Sequence, residues 1–142
     1  MDALLSKIRK NASSELWVAL REFQGKQYVD VREHFLSGDD RDWHPTKKGV
    51  MIEPEFLPDV IDSIDQIDGS TFGVLKSIPK GANLELRIGF CEFQRHSYCE
   101  VRVYYLDGKS NEMRPSQKGF TFKLDMKDTL LEALRESEDQ VC

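Results

Sequence analysis

The sequence predicts an α+β protein made of two tandem β-β-β-(β)-α units, each an antiparallel sheet followed by one helix. Three observations predict it. The 142-residue chain aligns with itself at an offset of 70 positions without a gap. In each copy, apolar residues alternate with a period of two and then switch to helical spacing. A single sheet-plus-helix unit of this size leaves an apolar helix face uncovered, so the two copies are expected to pack together as an intramolecular pseudo-dimer.

The repeat is read directly. "LWVALREFQGKQYVDVREHFL" (16–36) lies over "LRIGFCEFQRHSYCEVRVYYL" (86–106). Identical pairs include Phe23/Phe93, Tyr28/Tyr98, Arg32/Arg102 and, downstream, Pro45/Pro115, Lys48/Lys118 and Gly49/Gly119. The expected units are residues 1–69 and 70–142.

The elements follow in order. "LLSKIRKNA" (4–12) and "VLKSIPKGA" (74–82) are short apolar segments, each a further strand or a helical turn. "ELWVALREF" alternates, with Leu16, Val18 and Leu20 facing one way and Trp17, Ala19, Arg21 and Phe23 the other. "QGK" signals a tight turn. "QYVDVREHF" is a second strand, with Val29 and Val31 inward and Tyr28, Asp30, Arg32 and His34 outward. Strict alternation puts Phe35 and Tyr105 on the core side, so a bulge or strand end is required to expose them. "KKGVMI" and "KGFTF" form a third strand, entered through a Lys-Gly step. Leu57, Val60, Ile61 and Ile64, and likewise Leu130, Leu131 and Leu134, recur at helical spacing. Pro54 and Pro58 fit only in a first helical turn, and Asp125 is the expected N-cap of the second helix.

Composition narrows the function. With 39% hydrophobic and 32% charged residues, the chain is expected to be globular, and no apolar run approaches the length of a membrane span. Its N-terminus lacks the pattern of a signal peptide. Three cysteines, Cys91, Cys99 and Cys142, are an odd count that suggests reduced thiols in an intracellular compartment. Neither zinc-type spacing nor a phosphate loop or nucleophile elbow occurs, so no metal, no cofactor and no catalysis are expected. The formal charge of −5 is concentrated in residues 1–69; residues 70–142 are neutral.

The pattern "VALREFQGKQYVDVREHF…DWHPTKKGVMIEPEFL" resembles the transcriptional positive cofactor four family, also called the p15 coactivator family. The resemblance covers nearly the whole chain, once per repeat. It implies a small curved antiparallel sheet, pairing through the helices, and single-stranded DNA binding on the sheet. Carried over residue by residue, it implies stacking aromatics at Phe23 and Phe93 and at Phe35 and Tyr105. It implies phosphate contacts from Arg21, Lys26, Arg32, Lys47 and Lys48 in the first copy, and from Arg102 and Lys118 in the second. The second copy departs at Cys91, His96 and Gln117, which replace Arg21, Lys26 and Lys47.

Binding without sequence preference needs exposed rings beside cations, and Phe23 sharing a face with Arg21 fits that need. On the residues alone, however, the four aromatics fit a core or dimer-interface role equally well, and the Lys-Gly steps fit solvated turns. The functional expectation is therefore a single-stranded DNA-binding protein of transcription, replication or repair, with RNA as an open alternative ligand. The alternative is a protein-interaction module that has lost the ligand. Oligomeric state is left open between a monomeric pseudo-dimer and a homodimer. The location would be the nucleus in a eukaryote, or the cytoplasm or nucleoid in a bacterium.

Overall fold

The computed structural model describes residues 2–141; Cys142 lies outside them. Two four-stranded antiparallel sheets are present, each a simple meander. The first consists of β1 (Ala3–Asn11), β2 (Ser14–Phe23), β3 (Lys26–Leu36) and β4 (Trp43–Ile52), followed by helix α1 (Leu57–Asp65). The second consists of β5 (Gly73–Pro79), β6 (Leu84–Phe93), β7 (His96–Asp107) and β8 (Glu112–Phe122), followed by α2 (Lys127–Gln140). The apolar segment before each repeat is thus a strand, not a helical turn.

The β2–β3 connection is a two-residue hairpin. Phe23 pairs with Lys26, and Gln24 and Gly25 both have positive φ, at 52° and 78°. Such a turn matches the right-handed twist of the strands it joins. The second hairpin repeats the geometry with Gln94 at 50° and Arg95 at 67°, so a non-glycine residue occupies the left-handed region where the first copy has Gly25.

Each helix is entered through a 3₁₀ turn, Pro54–Phe56 in one copy and Leu124–Met126 in the other. Pro54 opens the first of these turns, and Pro58 sits in the first turn of α1. The expectation that Asp125 caps α2 is overturned. The N-cap is Met126, Asp125 lies inside the 3₁₀ turn, and no side chain caps the helix. Overlapping 3₁₀ geometry carries the chain into the helix, so Asp125 never adopts the extended backbone a side-chain cap requires.

The residues expected at helical spacing are the buried ones: Leu57, Val60, Ile61 and Ile64 on α1, and Leu130, Leu131 and Leu134 on α2. The two helices pack against each other. In addition, α2 lies on β1 and β2, and α1 lies on β5 and β6, so each helix covers the sheet of the other repeat. One hydrophobic cluster runs through both units. The duplication therefore supplies within one chain the apolar surface that a single unit would have to find in a second molecule.

Candidate nucleic-acid interface

The sheet faces away from the helices are polar, and their side chains are tied together. In the first sheet the register sets Trp17 opposite Arg32, Ala19 opposite Asp30 and Arg21 opposite Tyr28. Asp30 was expected to point outward. It does, yet it is only 1% exposed, because two guanidinium groups close over it. Arg21 Nε donates to Asp30 Oδ2 at 2.7 Å, and Arg32 Nη2 donates to Oδ1 at 3.1 Å. Arg21 also meets Asp2 at 3.4 Å. His34 likewise faces outward but is buried, with its ring stacked on Trp17 at 3.9 Å. Burial pushes its pKa down, against the opposing pull of the Arg32 carbonyl and the Asp30 carboxylate. Lys7 Nζ lies 4.5 Å from the centre of the Trp17 ring, and Trp17 Nε1 donates to Glu15 at 3.0 Å. The second sheet builds the same layer from other residues. Arg87 lies 4.2 Å above the Tyr104 ring, and Arg102 pairs with Glu100 at 3.1 Å.

The shared Pro-hydroxyl-x-Lys-Gly motif has a structural cause. Between Arg32 and His34 the β3–β4 register shifts, so that Arg32 faces Gly49 whereas His34 faces Pro45. Thr46 Oγ1 tethers this bulge by donating to the Glu33 carbonyl at 2.8 Å, and it accepts the Lys48 N–H at 3.1 Å. Ser116 does the same toward Val103, at 2.7 Å, and Lys118, at 3.0 Å. The bulge carries Lys47 and Lys48 out of the ladder. The glycine makes room for arginine. A Cβ on Gly49 would lie 2.7 Å from Arg32 Cζ, and one on Gly119 would lie 2.7 Å from Arg102 Cζ. Arg32 and Arg102 thus lie flat across the strand, each donating from Nη1 to the carbonyl of residue 46 or 116 at 2.9 Å.

The four aromatics are exposed. Phe23, Phe93, Phe35 and Tyr105 show 57%, 63%, 44% and 41% of their surface. Phe35 pairs with Ser14 in the last rung of β2–β3, beyond Leu16 and Glu33. Its exposure therefore comes from the strand end, where the core has run out. A core role for these rings is excluded.

A groove runs between the sheets along β4 and β8. It gathers Phe23, Arg32 and Lys47 from the first repeat with Tyr105 and Lys118 from the second. Val50 and Met51 also line it. A smaller groove, which shares Lys47 with the first, also contains Lys48 and Arg102. Of the remaining predicted residues, Lys26 lines a shallow depression beside the first groove. Arg21, Phe35 and Phe93 line none of these three hollows. Sequence reasoning missed Tyr28, Met51 and Lys80 on the first groove's walls. Lys80 carried one usable signal: Lys10 occupies its equivalent position in the other repeat.

The fold and this groove define a class: a tandem-repeat protein of antiparallel sheets and paired helices that presents solvent-exposed rings among cations. Comparison with known proteins agrees. The model of the family Transcriptional Coactivator p15 (PC4) matches residues 10–63. A PC4 homolog from Burkholderia pseudomallei K96243 is 31% identical in its tetragonal crystal form, with 45% of this chain and 93% of that chain covered and a TM-score of 0.42. In its orthorhombic form the values are 29%, 49%, 92% and 0.45. A protein of Caenorhabditis elegans named "Putative RNA polymerase II transcriptional coactivator" is 29% identical over 52 residues. That match covers 37% of this chain and 42% of the relative, so this chain spans under half of the relative's length. The chain belongs to the p15 coactivator (PC4) family.

Proposed function

We propose that the protein binds single-stranded DNA with little sequence preference and serves transcription or, alternatively, replication or repair. The observation that carries this reading is the groove in which Phe23 and Tyr105, exposed rings from different repeats, flank Arg32, Lys47 and Lys118. Rings of this kind stack on any base, at roughly 1–3 kcal/mol per base, while the cations follow the phosphates. Duplex DNA offers phosphate charge but no free base faces. A protein of net charge −5 therefore has less to gain from the duplex.

Local geometry makes the negative total compatible with an anionic ligand. Asp30 is only 1% exposed, so it is shielded from the groove by the two arginines that cover it. Asp62, Asp65 and Asp68 lie on or just after α1, away from the groove. Transcription proteins are the expected protein partners, and a nuclear location in a eukaryote follows from the same reading.

The test is fluorescence anisotropy with a labelled mixed-sequence oligonucleotide of about 20 bases, set against its duplex at low and moderate salt. Tight single-strand binding with a shallow salt slope is expected, because stacking is insensitive to counterions. A folded protein that binds no single-stranded DNA even at low salt would sink this reading and leave a protein-interaction module.

A further inference from the structure

The two halves of the trench are related by the repeat but are not equivalent. Shifting the first groove by 70 positions maps Phe23, Tyr105 and Val103 onto Phe93, Phe35 and Glu33. The second groove does contain Glu33, but neither Phe93 nor Phe35 lines it. Two of its lining residues are held by Lys10, whose Nζ lies 3.4 Å from Glu33 Oε2 and 3.4 Å from Thr121 Oγ1 of the other repeat. Lys10 and Glu33 belong to the same repeat and their side chains are each only 16% exposed, so of these two contacts the Lys10–Thr121 hydrogen bond alone links the repeats.

In the first groove the equivalent of Glu33 is Val103, and the equivalent of Thr121 is Met51; both are apolar and neither can bond a lysine. Lys80, the counterpart of Lys10, reaches across the repeats and pairs with Glu53 at 3.4 Å, neutralising the one carboxylate among the described residues that line the first groove. Around the second hairpin, Cys91 and His96 stand where the first has Arg21 and Lys26, and only Arg95 restores a cation. Burial pushes the Cys91 thiol up, so it supplies no charge.

We infer that the first groove carries most of the affinity for a single strand, and that the second, lined by the Glu33 carboxylate and by neither Phe93 nor Phe35, is a weaker half-site. The pseudo-dimer then acts as one strong site with a weak extension rather than as two equal halves. This inference rests on the single-strand reading above.

The test compares matched substitutions in the full chain by anisotropy with the same oligonucleotide of about 20 bases. Phe23→Ala is expected to weaken binding by about tenfold or more, and Phe93→Ala by about threefold or less. Tyr105→Ala and Phe35→Ala provide a second matched pair with the same expected order, should either phenylalanine variant prove misfolded by circular dichroism. Glu33→Val copies Val103 and removes the carboxylate from the second groove. In that background the loss caused by Phe93→Ala should grow toward that caused by Phe23→Ala. Losses that are equal within twofold across both pairs would overturn the inference while leaving single-strand binding intact. No binding by the unsubstituted protein would instead overturn the single-strand reading, and this inference with it.

Discussion

Gly49→Ala should destabilise the protein through Arg32, and the structure sets the size of the effect. Gly49 does not need positive φ, so only space is at issue. The added Cβ would meet Arg32 at 2.7 Å from Cζ and 2.9 Å from both Cβ and Cγ. Carbon atoms pack best at roughly 3.5–4.0 Å, so the overlap approaches 1 Å along the whole side chain. Swinging the guanidinium alone does not relieve it, because the stem is overlapped too. Arg32 must leave the strand, giving up its 2.9 Å bond to the Thr46 carbonyl and its 3.1 Å bond to Asp30. Bonds to charged groups contribute roughly 1.5–3 kcal/mol each. The Arg32 side chain is 21% exposed and Asp30 keeps Arg21 at 2.7 Å, so water and the remaining arginine recover part of the loss. A net cost of about 1–3 kcal/mol follows. Urea denaturation should show a lower midpoint at an unchanged m-value. A double-mutant cycle isolates the cause: in an Arg32→Ala background the glycine substitution should cost less than about 0.5 kcal/mol. If Gly49→Ala is as stable as the parent, or costs the same with and without Arg32, the steric explanation of the Lys-Gly step is wrong.

Three further outcomes are expected. His34 has a lowered pKa, so the unfolded chain takes up its proton first and stability falls as pH drops below about 6.5; His34→Tyr, which copies Tyr104, should flatten the midpoint between pH 7 and 5 in denaturation curves. Leu134 is fully buried in the cluster common to both repeats, so Leu134→Ala should cost roughly 2–5 kcal/mol and keep a single calorimetric transition; a surviving half with its own transition would contradict a shared core. Arg95 holds φ at 67° where the first hairpin has glycine, so Arg95→Gly should raise thermal stability by about 1 kcal/mol, with no gain if the turn relaxes in solution.

Much of the organisation was legible in the sequence because periodicity is a local property. Leu16, Val18 and Leu20 alternate, and they are buried. Leu57, Val60, Ile61 and Ile64 recur at helical spacing, and they form the packed face of α1. Phe23 beside Arg21 stood out as an exposed ring, and its register partner is the hairpin cation Lys26. Other expectations depended on neighbours that are distant in sequence. His34 and Asp30 alternate outward as predicted but are buried, one by Trp17 and the other by two arginines. Asp125 had a capping residue's identity but lacked the backbone conformation, which the 3₁₀ turn determined.

The sequence by itself determined the duplication, the strand–helix order and the types of side chain offered to a ligand, since these depend on residue spacing and chemistry along one strand or helix. Only the tertiary structure decided which residues share a groove. Phe23 and Tyr105 belong to opposite repeats, and they line one groove because α1 and α2 cover each other's sheets and bring β4 alongside β8. The tertiary structure also separated the two grooves: whether Lys10 reaches Thr121 depends on how the repeats pack, a relation that no alternation or spacing within one repeat can express.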